Sequence, residues 1–118
     1  MVFSGLDGLD EITTTSETNI SFFLNNTDIE SKTISPSDFG IKKSKSQELL
    51  GGTPKENAQI IHAILNGDRG PKRDISVLNA AAGIFIAGKC SSFQEGITLA
   101  NESLDSGKAL RVLKRITK

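Results

Sequence analysis

Six residues, Ser35-Pro36-Ser37-Asp38-Phe39-Gly40, divide this chain into two stretches that fold by different rules. Proline fixes one backbone dihedral, Ser and Asp side chains bond back to their own main chain, and glycine admits a positive φ, so the segment is punctuation. Ahead of it the residues are Thr, Ser, Asn, Ile and Phe in short runs. Behind it apolar residues recur three and four apart. With 118 residues in total, one small core is the expectation, carrying a β-rich start and a helical remainder.

In the β-rich part, a short strand at Val2-Phe3 precedes a glycine turn, and the runs Thr18 to Leu24 and Asp28 to Ile34 flank Asn25-Asn26-Thr27 as a hairpin. In the helical part, a first segment runs from Gln47 to Leu50 and stops at Gly51-Gly52. Thr53-Pro54-Lys55-Glu56 then combines a capping box with proline at the first helical position. Ala58, Ile61 and Leu65, with Ile60 and Ile64 beside them, form its apolar stripe up to Asn66-Gly67. A charged loop with breakers Gly70 and Pro71 leads to a helix from Asp74 to Ala87, with Ile75, Leu78, Ala82 and Phe85 on one face and Ala80-Ala81 small enough for a close neighbour. Ser92 and Glu95 box the next helix, which reaches about Ser103. Asp105 or Ser106 caps the last, with Ala109, Val112, Leu113 and Ile116 inward.

Charge and cysteine usage narrow the function. Lys plus Arg and Asp plus Glu both total 14, so no basic field steers the chain to nucleic acid. The lone Cys90 excludes an internal disulfide and suits a reducing compartment, with packing as its role. No window approaches the roughly 20 apolar residues of a membrane span, and no basic leader precedes an apolar run. The expectation is a soluble protein of the cytoplasm.

The stretch Ser4 to Ile12, SGLDGLDEI, carries the chemistry. Asp10 and Glu11 are adjacent, so on a regular strand they point to opposite faces; Gly5 and Gly8 make a bend available that lets both serve one site. Carboxylate oxygens are hard ligands, and two of them with retained waters suit Mg²⁺ held jointly with substrate phosphates. Two other readings stay open: a solvated loop, and a general acid/base pair, for which nothing signals the raised pKa. His62, the only histidine, sits mid-helix with no carboxylate or nucleophile placed beside it. Ser4 lacks the Gly-x-Ser-x-Gly frame of a nucleophile elbow. Arg69, Lys72 and Arg73 near a helix start either meet a phosphate or form a charged connector. There is no P-loop, dinucleotide fingerprint or Cys-x-x-Cys frame.

The pieces DGLDEI, ISPSDFGI, ELLGGTPKENAQIIHAILNGDRGPKRDISVLNAAAGIFIAGK and SFQEGITLANESLDSGKAL, in this order and spacing, resemble the carboxyl-terminal part of the anthranilate phosphoribosyltransferases. The resemblance covers nearly the whole chain. It implies the α/β domain of the phosphoribosyltransferase and nucleoside-phosphorylase fold group. The activity it implies, in tryptophan biosynthesis, joins anthranilate to phosphoribosyl pyrophosphate with release of pyrophosphate. It implies a homodimer for the full-length protein and Mg²⁺ held by the Asp-Glu of GLDE, which falls on Asp10 and Glu11. The family's helical domain, its Gly-Thr-Gly-Gly-Asp phosphate loop, its Lys-His-Gly-Asn segment and its anthranilate-contacting arginine have no counterpart in this sequence. Phe3-Ser4-Gly5 stands where many relatives carry His-Gly. A family member runs to roughly three times this length, as two-domain enzymes do. The chain is therefore expected to be a fragment, inactive alone. The alternatives are a stand-alone interaction module docking through the helical face from Thr53 to Ala87, and part of a nucleoside phosphorylase.

Overall fold

Short alternating runs at the start of the chain build three antiparallel strands in the order β1-β2-β3: β1 (Val2–Gly5), β2 (Thr18–Phe22) and β3 (Glu30–Ile34). The structure is a computed structural model and describes residues 1–23 and 28–117. The turn expected at Asn25-Asn26-Thr27 lies outside the described residues. Register sets Phe3 opposite Ile20 and Gly5 opposite Thr18 on one side of β2, and Ile34 opposite Thr18 on the other. Thr18 and Ile20, two apart, therefore share the buried face. The opposite face is polar and zipped by side chains: Thr33 Oγ1 donates to Asn19 Oδ1 at 2.8 Å, and the Ser21 and Ser31 hydroxyls meet at 2.7 Å.

The chain divides into two compact units, Met1–Ser46 and Gln47–Lys118. In the first, the buried apolar residues are Ile12, Ile20 and Ile34, joined by buried Thr13, Thr14 and Thr18. The punctuating segment forms one 3₁₀ turn, Pro36–Phe39. Asp38 accepts from the Ser35 N–H at 2.8 Å, and Gly40 takes φ 71°, the left-handed conformation that glycine admits without strain.

The second unit is helical: α1 (Ser46–Leu49) overlaps its boundary, and α2 (Pro54–Leu65), α3 (Pro71–Ile86), α4 (Phe93–Asp105) and α5 (Lys108–Ile116) follow. The α2 start is as expected, with Glu56 N donating to Thr53 Oγ1 and Thr53 N donating to Glu56 Oε2. The most extensive helix packing is between α3 and α4. There Val77, Leu78, Ala81 and Ala82 are buried on α3, and Gly96, Ile97 and Ala100 on α4. A Cβ on Gly96 would stand 2.9 Å from the Ala81 carbonyl oxygen. Close approach of the two helices is why that position is glycine. Leu78 and Ile97 each stabilise the pair by about 1.5–3 kcal/mol through burial.

Several boundaries differ from the sequence reading. α3 starts at Pro71, three residues before Asp74, because a proline that breaks a helix interior is well suited to its first turn. The cap of α4 is not reciprocal: Ser92 Oγ accepts from Glu95 N, but the Glu95 carboxylate turns to Ser91, accepting from its N–H at 2.8 Å and its hydroxyl at 2.7 Å. α5 is preceded by Gly107 in the left-handed conformation, while Asp105, expected as a cap, is the last residue of α4 and pairs with Arg73. Cys90 is half-buried in the connection after α3. Val112 and Ile116, expected inward, are 55% and 74% exposed, and Val2 is 73% exposed. Among the described residues no side chain of α2 is fully buried either.

Candidate functional site

The acid pair stands on the connection between β1 and β2, and glycine shapes its root. Gly5 N donates to the Leu9 carbonyl at 2.8 Å, Gly8 N to the Gly5 carbonyl at 3.0 Å, and Leu6 N to the Glu17 carbonyl at 2.8 Å. Gly8 adopts φ 92°, and a Cβ on Gly5 would fall 2.4 Å from Asp7 Oδ1 and 3.0 Å from Thr13 Cγ2. Both glycines are required, one by conformation and one by space.

Asp7 organises the rest. Its Oδ2 accepts from Thr13 Oγ1 at 2.6 Å and from the Thr15 hydroxyl, and its Oδ1 accepts from Leu9 N at 3.2 Å. Partial burial raises the Asp7 pKa, but the hydrogen bonds from Thr13, Thr15 and the Leu9 main chain outweigh it, so the carboxyl sits below its ordinary value. Thr13 N donates to Thr18 Oγ1 at 3.1 Å, and Ser44 N donates to the Thr14 carbonyl at 2.9 Å, tying the far side of the loop to β2 and to the exit segment.

Between these anchors the backbone bends at Asp10 and Glu11, both exposed, and the next residue, Ile12, is 1% exposed. The residues are not on a strand, so the constraint that neighbours face opposite ways does not apply. Among the described residues no group of three or more His, Cys, Asp or Glu side chains is placed to hold a metal ion. The donor set at the bend is thus two hard oxygen ligands open to solvent. That fits a cation which keeps most of its waters and takes further oxygens from a substrate; it does not fit an ion caged by protein alone.

The other candidates belong to the second unit. His62 is exposed near the end of α2. Arg69, Lys72 and Arg73 are committed inside the helical unit, which corrects the charged-connector reading for Arg73. Its side chain is 2% exposed, with Nη2 donating to Asn101 Oδ1 and Asp105 Oδ1, both at 2.7 Å. Arg69 reaches the other Asp105 oxygen at 3.0 Å, and Lys72 Nζ donates to the Leu50 carbonyl. A cleft of about 250 Å³ beside them is lined by Ile60, Ala63 and Ile64 and also by Glu48 and Asp68, so no unopposed positive surface waits there for a phosphate. Sequence reasoning missed Asp7 and Asp105. The signals were the Thr13-Thr14-Thr15 run, six to eight residues beyond Asp7, and an acid at the helix end where a cap was expected.

Residues 1–110 match the family described as glycosyl transferase family, a/b domain. Among curated proteins, the anthranilate phosphoribosyltransferase of Acetivibrio thermocellus is 50% identical over 113 residues, which is 96% of this chain and 32% of that protein. Among solved structures, the anthranilate phosphoribosyltransferase of Saccharomyces cerevisiae in complex with PRPP and Mg aligns with a TM-score of 0.82 at 30% identity, covering 95% of this chain and 32% of that one. The same yeast enzyme in complex with 4-fluoroanthranilate aligns with a TM-score of 0.83, covering 95% and 33%. The chain spans about a third of the length of the relatives it matches.

Proposed function

This chain belongs to the glycosyl transferase family, a/b domain, and we propose that it is the metal-carrying, carboxyl-terminal third of an anthranilate phosphoribosyltransferase. In that reading the whole protein transfers the phosphoribosyl group of phosphoribosyl pyrophosphate to anthranilate, as a homodimer, in the cytoplasm or a plastid. The observation that carries the assignment to this chain is the bend at Asp10 and Glu11, two exposed carboxylates set between a braced turn and the buried Ile12. Exposed apolar residues such as Val2 and Ile116 suit a piece of a larger fold. The relatives reported above share one enzyme name, so the interaction-module and nucleoside-phosphorylase readings are not favoured.

In this mechanism Asp10 and Glu11 would hold Mg²⁺, and Asp7 keeps their loop bent. Bound there, Mg²⁺ supplies charge neutralisation for the departing diphosphate. The two acids would serve as oxygen ligands and transfer no proton. Binding the ribosyl and anthranilate moieties falls to the other two thirds of the protein, and positioning is much of the catalysis. The isolated chain is therefore expected to be inactive. The test adds the complementary two thirds of a relative in trans and assays phosphoribosyl anthranilate. Product above that of either part alone supports the assignment; none, from two parts that form a soluble complex, overturns it.

A further inference from the structure

The segment Leu6 to Glu11 repeats a Leu-Asp step, at Leu6-Asp7 and at Leu9-Asp10, and the fold gives the two acids different tasks. Asp10 faces solvent with Glu11. Asp7 is exposed as well, but its carboxylate folds back onto its own loop. Its three donors bracket the pair in sequence: the Leu9 N–H lies just before Asp10, and the Thr13 and Thr15 hydroxyls lie just after Glu11. One carboxylate thus fastens both ends of the five residues that present the acids.

We propose that Asp7 is the positioning residue of the Asp10–Glu11 pair, its carboxylate clamping Leu9 to Thr13 and Thr15 so that both acids stay on one bend. The inference rests on the reading of that pair as a metal holder and names the group that makes a flexible glycine loop into one. Asp7 is not a third ligand. Donors of its own loop take three of a carboxylate's roughly four acceptor sites, leaving one lone pair on Oδ1 rather than a face open to a cation. Nor does Asp7 join Asp10 and Glu11 in a three-acid group among the described residues. Gly5 completes the device, because its missing side chain leaves the space in which Asp7 Oδ1 sits. An asparagine at position 7 offers a single accepting oxygen, so it cannot serve Thr13 and Thr15 on one side and Leu9 on the other.

Backbone-amide NMR on the 118-residue chain tests this with two readouts. Without metal, Asp7→Asn and Thr15→Val should each speed hydrogen exchange at the Leu9 and Thr15 amides about tenfold while the β2 amides keep their wild-type rates, because only the local opening has become easier. With Mn²⁺ alone as a paramagnetic probe, wild type should lose the Asp10 and Glu11 signals first, and both variants should need about tenfold more Mn²⁺ for the same broadening, as residues that orient a ligand do. Thr15→Val keeps the inference testable if Asp7→Asn fails to fold. Wild-type exchange and an unchanged Mn²⁺ midpoint in these variants would overturn the role of Asp7 and leave the metal reading intact. If instead wild-type broadening survives Asp10→Asn with Glu11→Gln, the metal reading is overturned, and the inference with it.

Discussion

Arg73 is buried and its ionic partner Asp105, 2.7 Å away, is 43% exposed. The pair joins the start of α3 to the end of α4, the two helices that carry the second unit's core. Asn101 shares the same guanidinium nitrogen, and among the described residues Arg73 Nη1 is buried without a hydrogen-bond partner. The arrangement is asymmetric: the cation has left water and the anion has not.

That asymmetry predicts unequal effects of removing each partner. Arg73→Met keeps the apolar stem and leaves the half-exposed Asp105 to solvent and Arg69, so it should change stability by less than about 1.5 kcal/mol. Arg73→Ala loses the packing as well, at a cost of about 2–4 kcal/mol. Asp105→Ala strands a buried charge and should lower the melting temperature more than Arg73→Met does. Thermal unfolding of the three variants checks the order, and equal losses from Asp105→Ala and Arg73→Met would contradict it.

The same contact sets part of the pH dependence. The hydrogen bond from Arg73 holds the Asp105 carboxyl below its ordinary value of 3.8; slight burial opposes this, and the charges of Arg73 and Arg69 add to it. A depressed folded-state pKa gives stability that is complete above 3.8 and is lost as pH falls through the lower folded value. Asp74 behaves oppositely. Burial raises its pKa against the pull of Arg73 and Arg69, so its contribution is present below 3.8 and lost as pH rises through the raised value. In melting curves recorded from about pH 2 to pH 7, Asp105→Asn should flatten the acid limb, and Asp74→Asn should gain stability over wild type at neutral pH but not near pH 2.

Two glycines should respond to alanine in opposite directions. Gly83 lies within α3 with nothing inside 4 Å of an added Cβ, so Gly83→Ala should stabilise by about 1 kcal/mol through helix propensity. Gly96 meets the Ala81 carbonyl oxygen at 2.9 Å, backbone that cannot turn aside, so Gly96→Ala should cost about 1–3 kcal/mol. Denaturant midpoints measure both, and a stabilising Gly96→Ala would refute the close packing of α3 on α4.

These cases show what was legible beforehand. The Thr53 cap and the punctuation at 35–40 could be read because each is fixed by residues within a few positions, and the β2–β3 pairing because the two strands follow each other in the chain. Arg73 could not, since its partners Asn101 and Asp105 lie 28 and 32 residues away and only the packing of α3 on α4 brings them together. Pro71 was ambiguous in itself, as the same fixed φ that ends one helix begins another. At the candidate site the acids were visible and their brace was not: Asp7 looks like any turn aspartate until the chain folds back to set Thr13 and Thr15 against it.

The acids themselves give the last prediction. Asp10→Asn and Glu11→Gln keep the shape of an exposed bend and replace one carboxylate each. Neither should alter folding, because neither side chain is buried, and exposed substitutions usually stay within about 0.5 kcal/mol. Carried into a full-length enzyme of the family, each should lower turnover at ordinary Mg²⁺ by about tenfold to a hundredfold, with partial recovery as Mg²⁺ is raised. Recovery is the telling feature, since a weakened ion site can be refilled by mass action whereas a lost acid or base cannot. Steady-state kinetics across a Mg²⁺ series make the distinction: a deficit that high Mg²⁺ does not relieve points to proton transfer, and unchanged kinetics in both variants return Asp10 and Glu11 to a solvated turn.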